Sequence, residues 1–178
     1  MALPFPLSAD KTKNAEELAE IVATRQAAGE RVVLTNGVFD ILHVGHLRYL
    51  TEARALGDAL AIAVNSDESV HGFKDPQRPI VPLAERMEML ASLCCVDYVA
   101  AFETRTPVPL IERVRPAIYA KGGDYSEADL PEAAVVRGYG GEVRILSLVA
   151  GRSTTNIIAR VCAAYGHPAD HGNKEERT

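Results

Sequence analysis

No stretch of this 178-residue chain approaches the ~20 apolar residues a helix needs to cross a bilayer. Nor is there a basic excess. Lys and Arg number 19 against 24 Asp and Glu, a net charge of -5. Without a basic stripe, nucleic acid is not an expected partner. Cysteine is scarce, and Cys94, Cys95 and Cys162 show no metal-ligand spacing. They are expected to be reduced, mostly buried thiols of a cytoplasmic protein, filling core rather than serving redox chemistry. Residues 1–13 lack a basic segment followed by an apolar one, so no signal peptide is expected. Three chemical signatures are also missing. Without G-x-x-x-x-G-K-[ST] a P-loop kinase is excluded. Without G-x-G-x-x-G after the first strand NAD binding is not expected. Without H-E-x-x-H a helix-borne zinc protease is excluded.

What is present is an alternation of apolar elements. Hydrophobic residues make up 47% of the chain, enough for one domain with a real core. Period and turn signals place strands at 31–35, 59–65, 98–101, 117–120 and 142–146. Helices are expected at 11–28, 44–56, 83–94, 106–115, 130–139 and 154–165. In the first helix Ala15, Leu18, Ile21 and Val22 form one stripe, Arg25 falls next on it, and Gly29 ends it. Strands separated by helices imply right-handed crossovers and a parallel sheet covered on both faces. The predicted class is α/β: a three-layer α/β/α sandwich with a five-stranded parallel sheet. Residues 1–10 read as a loose arm, 1–30 as arm plus helix, 31–165 as the domain proper, and 166–178 as a disordered polar tail. In such sheets ligands bind beyond the carboxyl ends of strands, where strand order reverses.

One stretch stands out. The run Val32-Val33-Leu34 ends at Thr35-Asn36-Gly37, and Val38-Phe39-Asp40-Ile41-Leu42-His43-Val44-Gly45-His46 leads into a helix. The first turn of that helix offers free N–H groups and the positive end of its dipole, a site for phosphate. His43 and His46 are three apart and share a face there. Gly45 between them leaves room for a ligand to approach the backbone. Asp40 supports the histidines or a metal, or only shapes the turn.

Other residues carry two readings each. Lys74, in the loop 71–78, reaches phosphates or is a solvated cation. Arg78 precedes Pro79 and is structural or binds substrate. Arg86 clamps a phosphate through its fork or pairs with Glu85 or Glu88 on a solvated face. At the end of the second strand, Asn65-Ser66-Asp67 faces the same rim, where Asp67 touches a sugar or caps a helix. Lys121-Gly122-Gly123-Asp124 follows a short strand, and its double glycine lets backbone approach a base or ribose. Asp124 accepts from a ribose hydroxyl or caps a turn. Ser153 and Thr154 precede an apolar helix, where an N-cap and a phosphate ligand are compatible roles.

The segment from Asn36 to His46 resembles the HxGH signature of the nucleotidyltransferase superfamily. Gly151-Arg152-Ser153-Thr154-Thr155-Asn156-Ile157-Ile158 resembles that superfamily's C-terminal element. With residues 63–67, Arg78-Pro79-Ile80, Arg86, Lys121-Gly122-Gly123-Asp124-Tyr125 and Gly140-Gly141-Glu142-Val143, the pattern is similar to the heptose 1-phosphate adenylyltransferases, over roughly residues 31–162. Where cytidylyltransferases carry R-T-E-G-I-S-T, this chain has Leu148-Val149-Ala150-Gly151-Arg152-Ser153-Thr154. The Arg-Thr-Glu triplet is absent and Arg152 stands in place of Ile, which favours ATP over CTP.

The resemblance implies a Rossmann-like fold. It implies adenylyl transfer from ATP, with Mg²⁺ held through the phosphates, to D-glycero-β-D-manno-heptose 1-phosphate. The products are then pyrophosphate and ADP-heptose, a lipopolysaccharide core precursor. A stand-alone enzyme without a sugar-kinase half is expected. His43, His46 and Lys74 take the catalytic roles. Thr35, Asn36, Gly37, Phe39, Gly45, Lys121, Gly122, Asp124, Arg152, Ser153 and Thr154 take the nucleotide. Asn65, Asp67, Arg78 and Arg86 take the sugar phosphate. Expected partners are these small molecules and a second copy of the chain, with no nucleic acid and no membrane. The alternatives are a cytidylyltransferase acting on a phosphoalcohol and a non-catalytic nucleotide-binding module.

Overall fold

The computed structural model describes residues 8–123, 130–147 and 151–166. Five strands form one sheet in the order β3-β2-β1-β4-β5, all parallel. They are β1 (Val32–Gly37), β2 (Ala59–Asn65), β3 (Tyr98–Phe102), β4 (Ile118–Gly122) and β5 (Glu142–Leu146). The helices are α1 (Ser8–Lys11), α2 (Ala15–Ala27), α3 (Val44–Arg54), α4 (Asp67–His71), α5 (Leu83–Ala91), α6 (Val108–Val114), α7 (Pro131–Gly138) and α8 (Thr154–Tyr165).

Strand period sets the layers. On β2, Ala59, Ala61 and Ala63 face one side, packing with Leu18 and Val22 of α2, Leu110, Ile111 and Val114 of α6, and Val136 of α7. Leu60, Ile62 and Val64 face the other, with Tyr49, Leu50 and Ala53 of α3 and Leu90 of α5. Every residue of β2 is buried, as expected of a parallel strand covered on both faces. Chain order reverses at β1, whose neighbours are β2 and β4. The Rossmann-like α/β sandwich read from the sequence is the observed fold.

Residues 8–13 differ from the expected arm. α1 is a single helical turn ending in Lys11, whose Nζ donates to the Leu93 and Val96 carbonyls at 3.1 and 2.8 Å. Thr12 then pairs with Val99, and the Lys13 N–H donates to the Val99 carbonyl at 2.9 Å. The segment thus covers the open edge of β3, which a sheet cannot leave bare without inviting foreign strands. α2 starts at Ala15 rather than 11 because Asn14 caps it, forming a reciprocal capping box with Glu17. Its expected continuation on Arg25 is accounted for. The guanidinium leaves the apolar stripe to bond the Tyr98 hydroxyl at 3.0 Å and to pair with Glu30.

The cysteines also differ from expectation. Cys94 and Cys162 are exposed and Cys95 is half-buried, all as free thiols. α5 ends at Ala91, so Cys94 falls in the turn beyond it. Cys162 lies on α8, whose only buried residue is Thr154. Residues 1–7 of the arm, Asp124, Tyr125 and the tail 167–178 lie outside the described residues.

Candidate active site

The turn after β1 builds the site. Phe39 sits in the left-handed region at φ 49°, which folds its ring back over Gly37. A Cβ on Gly37 would lie 3.0 Å from that ring. The same ring meets His46 edge-on, with centroids 5.3 Å apart. His43 is the N-cap of α3, and its Nδ1 accepts from the His46 N–H at 3.3 Å. An accepting Nδ1 puts the proton of the neutral ring on Nε2, making that edge a donor. The two imidazoles stack, 3.9 Å between centroids and 14° between planes.

Gly45 lines the cleft beside the histidines and also has a packing role. The space its missing side chain leaves is filled by the His43 ring and Arg152. A Cβ there would lie 2.9 Å from the ring and 3.2 Å from the Arg152 Cβ. The glycine therefore lets the start of α8 close onto α3.

Burial holds both rings neutral. His46 is pushed down to about 4, first by desolvation and then by His43 beside it. His43 is lowered by desolvation and by the Arg152 charge, against its backbone hydrogen bond. At pH 7 the pair offers hydrogen bonds rather than charge. His46 Nδ1 is buried with no partner among the described residues.

These rings line a cleft of about 650 Å³. Lys74 and Arg78 border it from the loop before α5, and Arg152, Ser153 and Thr154 from the start of α8. Ser153 caps α8, accepting from the Asn156 N–H at 3.1 Å. The Thr154 hydroxyl donates to the Ile41 carbonyl at 3.2 Å, tying α8 to the β1–α3 turn. The N-termini of α3 and α8 thus face one space, each with unsatisfied N–H groups and a positive dipole end.

Asp40 fixes the third wall. Its carboxylate is 1% exposed and accepts from the Ile80 and Val81 N–H groups at 2.9 and 2.8 Å and from Arg78. Desolvation pushes its pKa up, but these donors outweigh it and the net shift is down. Asp40 therefore anchors the loop that carries Lys74, and Arg78 borders the cleft with its charge already paired.

A smaller cavity of about 190 Å³ adjoins the cleft and shares Val38, Phe39 and His46 with it. Asn36, Gly37, Lys121 and Gly122 line it. Asn36 Oδ1 accepts from the Tyr119 hydroxyl at 2.6 Å and from Lys121 Nζ at 3.0 Å. Burial lowers the Lys121 pKa, opposed by Glu132, whose Oε1 is 3.6 Å away.

Thr35, Asn65, Asp67 and Arg86 line neither cavity. Thr35 is buried and bonds the Tyr49 hydroxyl, which donates to the Ala120 carbonyl at 3.1 Å. Asn65 Nδ2 donates to the Ser69 hydroxyl at 3.0 Å. Arg86 is the clearest departure from expectation. It is 0% exposed, and its fork is spent on the carbonyls of Val81, Val38 and Asn65, at 2.9, 2.5 and 2.9 Å, and on Asp67 at 2.6 Å. The other Asp67 oxygen accepts from the Leu83 N–H at 3.2 Å. A buried guanidinium needs every donor satisfied, and the nearby strand ends supply acceptors where Glu85 and Glu88 on its own helix do not.

Gln77, Thr155 and Ile158 also line the cleft, and Tyr49 the smaller cavity, without having been singled out. For Tyr49 the signal was present: a hydroxyl three residues after His46, on the helix face that packs inward.

Replacing Arg86 by Met should cost at least about 3 kcal/mol in urea unfolding, because three buried carbonyls lose their donor. Arg86→Lys should recover little, since an ammonium lacks the fork. Near-normal stability in both would return Arg86 to the phosphate-clamp role.

Imidazole titration followed by NMR should place the His46 midpoint near 4. Phe39→Ala, which opens the ring to water, should move that midpoint up towards the ordinary value. The folded pKa lies below the unfolded one, so this contribution to stability is complete above ~6.5 and is lost as pH falls from there towards 4. A midpoint near 6.5 in the unaltered protein would contradict the burial argument.

Comparison with known proteins follows the same lines. A lipopolysaccharide core biosynthesis protein from Thermoplasma volcanium superposes with a TM-score of 0.57 at 29% identity, covering 68% of this chain and 98% of that one. Pantoate-beta-alanine ligase from Francisella tularensis, at 14% identity and a TM-score of 0.54, covers 91% of this chain and 82% of its own and shares the fold. Bifunctional protein HldE of Geobacter sulfurreducens is 49% identical over 156 residues, 88% of this chain but 32% of that protein. The chain therefore spans about a third of the length of the curated relatives it matches. The cytidylyltransferase-like pattern matches residues 34–160, from β1 through both helix starts that frame the cleft, and the chain belongs to that family.

Proposed function

We propose that this chain transfers the adenylyl group of ATP to D-glycero-β-D-manno-heptose 1-phosphate, releasing pyrophosphate and forming ADP-heptose. The observation that carries the reading is the convergence of two helix N-termini, the stacked neutral histidines, Lys74 and Arg152 on one cleft. That set suits a triphosphate and a second phosphate brought together. The 49% identity to a bifunctional protein HldE over 88% of this chain, and the likeness to a lipopolysaccharide core biosynthesis protein, support the reading.

A phosphate oxygen of the sugar attacks the α-phosphorus, the bond to the bridging oxygen breaks, and pyrophosphate leaves with that electron pair. No covalent enzyme intermediate is required. Catalysis is then positioning plus stabilisation of charge growing on the transferred group. His43 Nε2–H is a fitting donor to those oxygens. Neutral rings bind a substrate phosphate less tightly than cations would, and their hydrogen bonds strengthen as charge builds in the transition state. Lys74 and Arg152 supply the positive charge that lets one anion approach another. Arg78 holds its loop through Asp40 and takes substrate only as a paired group. Asn36, Gly37, Phe39, Lys121 and Gly122 serve the nucleoside end in the smaller cavity.

Mg²⁺ enters with the triphosphate. Among the described residues no three His, Cys, Asp or Glu side chains gather as a cage, and this donor set fits a cation held through phosphate oxygens. No helix among the described residues is long and apolar enough to cross a membrane. A second copy is the inferred protein partner. The outward side of α8, with Val161 53% and Tyr165 83% exposed, supports a homodimer.

His43→Ala and His46→Ala should each lower turnover on the order of 10²–10³, the cost of one lost transition-state donor. Pyrophosphate release reads this directly, and normal turnover in either variant would remove the histidines from the chemistry.

Substrate choice is tested by crossing the four nucleoside triphosphates with several sugar and alcohol phosphates. ATP with the heptose 1-phosphate should be turned over far better than CTP with glycerol 3-phosphate, because polar groups built for sugar hydroxyls go unpaired with a shorter acceptor. Preference for CTP and a phosphoalcohol would replace the heptose reading with the cytidylyl one. No pyrophosphate from any pair would indicate a non-catalytic binding module.

A further inference from the structure

Glu132 is a carboxylate that packing alone does not explain. It lies in the first turn of α7, beside Ala133 and with Val136 on the core side. The residue is 4% exposed. Its Oε1 is 3.6 Å from Lys121 Nζ, and its Oε2 is buried with no hydrogen-bond partner among the described residues. A carboxylate desolvated in this way costs stability that an apolar residue of similar size would not.

The consequence of that cost is felt two residues away. Lys121 Nζ, held between Glu132 and β1, donates to Asn36 Oδ1 at 3.0 Å. The Tyr119 hydroxyl donates to the same oxygen at 2.6 Å. Two donors on one side fix the orientation of the amide, with its oxygen turned to them. Nδ2 is then the available group of a side chain that lines the smaller cavity. The relay runs from α7 through β4 to β1, and Asn36 and Lys121 reach the cavity while Glu132 does not.

Charge gives the relay its direction. Glu132 cancels the Lys121 ammonium, so the smaller cavity is polar without a net positive wall. The larger cleft carries Lys74 and Arg152. An uncharged acceptor, a base or ribose atom, fits the first, and phosphates fit the second. Burial lowers the Lys121 pKa while Glu132 raises it, so the carboxylate also helps keep the ammonium protonated.

We propose that Glu132 is a positioning residue for nucleotide recognition: through Lys121 it holds the Asn36 amide as a hydrogen-bond donor to the nucleoside end of the substrate. The inference rests on the adenylyl-transfer reading and deepens it. Glu132 touches no substrate and acts only through its neighbours.

The test is calorimetric titration of ATP with Mg²⁺, and separately of pyrophosphate with Mg²⁺, without a sugar phosphate. The proteins are the unaltered chain, Glu132→Ala, Glu132→Gln, Lys121→Met and the Lys121→Met/Glu132→Ala double variant. Glu132→Ala should raise the Kd for ATP about tenfold, the upper end for one hydrogen bond between uncharged groups. Glu132→Gln, which can still accept from Lys121, should recover most of that loss. The double variant should bind ATP no more weakly than Lys121→Met alone, since a relay removed at one link has nothing left to lose at the next. Pyrophosphate should bind equally well throughout, because its cations lie elsewhere.

A Kd for ATP unchanged by Glu132→Ala overturns the inference. So does an additive loss in the double variant, or a parallel loss of pyrophosphate binding, either of which marks a structural role. If Glu132→Ala is too unstable to titrate, Glu132→Met, Lys121→Met and their double variant complete the same cycle, with the same expected and overturning outcomes. Failure of the unaltered chain to bind ATP would instead bring down the adenylyl-transfer reading, and this inference with it.

Discussion

The carboxyl end of the sheet is held by one buried charge. Arg86 spans the Val38 carbonyl just past β1, the Asn65 carbonyl at the end of β2, the Val81 carbonyl before its own helix, and Asp67 at the start of α4. Loops that leave parallel strands carry polar backbone groups that the sheet no longer satisfies. A planar fork with five donors can gather several of them at once, which an ammonium cannot. Asp40 completes the arrangement from the other side by accepting from Ile80 and Val81. The segment 78–81 is thereby strapped to β1 by a cation and an anion that do not pair with each other. Arg78 and Ile80, which border the cleft from that loop, take their position from these straps, while the Lys74 N–H donates to the Val70 carbonyl at the end of α4.

On this scaffold the chemistry is divided by charge state. The residues nearest the α3 N-terminus are neutral because they are buried and stacked, and His46 sits far below its ordinary pKa. The cations sit on the loop and at the start of α8. A site built this way spends its fixed charge on drawing anions in. In the proposed reaction its best-oriented hydrogen bonds act as charge grows on phosphorus. Gly45 matters to that division, since any side chain there would push Arg152 away from the His43 ring.

Much of this was legible from residues alone, and the limits follow distance along the chain. β2, β5 and α8 begin and end where period and turn residues put them, because each is flanked by a strong stop. The histidine pair was legible for a local reason, a strand, a glycine turn and a helix start within a dozen residues. Arg86 was not, because its partners lie 5, 19, 21 and 48 residues away and no nearby spacing announces them. The cap at Asn14 moved the start of α2, and the docking of Lys11 against residues 93 and 96 is a contact across more than eighty positions. Gly45 was recognised as a place needing space. What fills it is decided by α8, which arrives more than a hundred residues later.

Glu132 belongs with the non-local features. An acidic residue in the first turn of a helix usually needs only the dipole to explain it. Its burial against Lys121 becomes visible once β4 lies beside β1, with Thr35 opposite Ala120 and the next pair, Asn36 and Lys121, bonded to each other. The same register that places the switch in strand order next to the histidines also places a neutralised lysine beside an uncommitted amide. A parallel sheet with its crevice at β1 and β4 therefore brings two electrostatic environments to one imidazole, His46. A ligand with a charged end and an uncharged polar end can enter that pair of spaces in one orientation without stranding either end, which is the orientation the proposed reaction requires of its nucleotide.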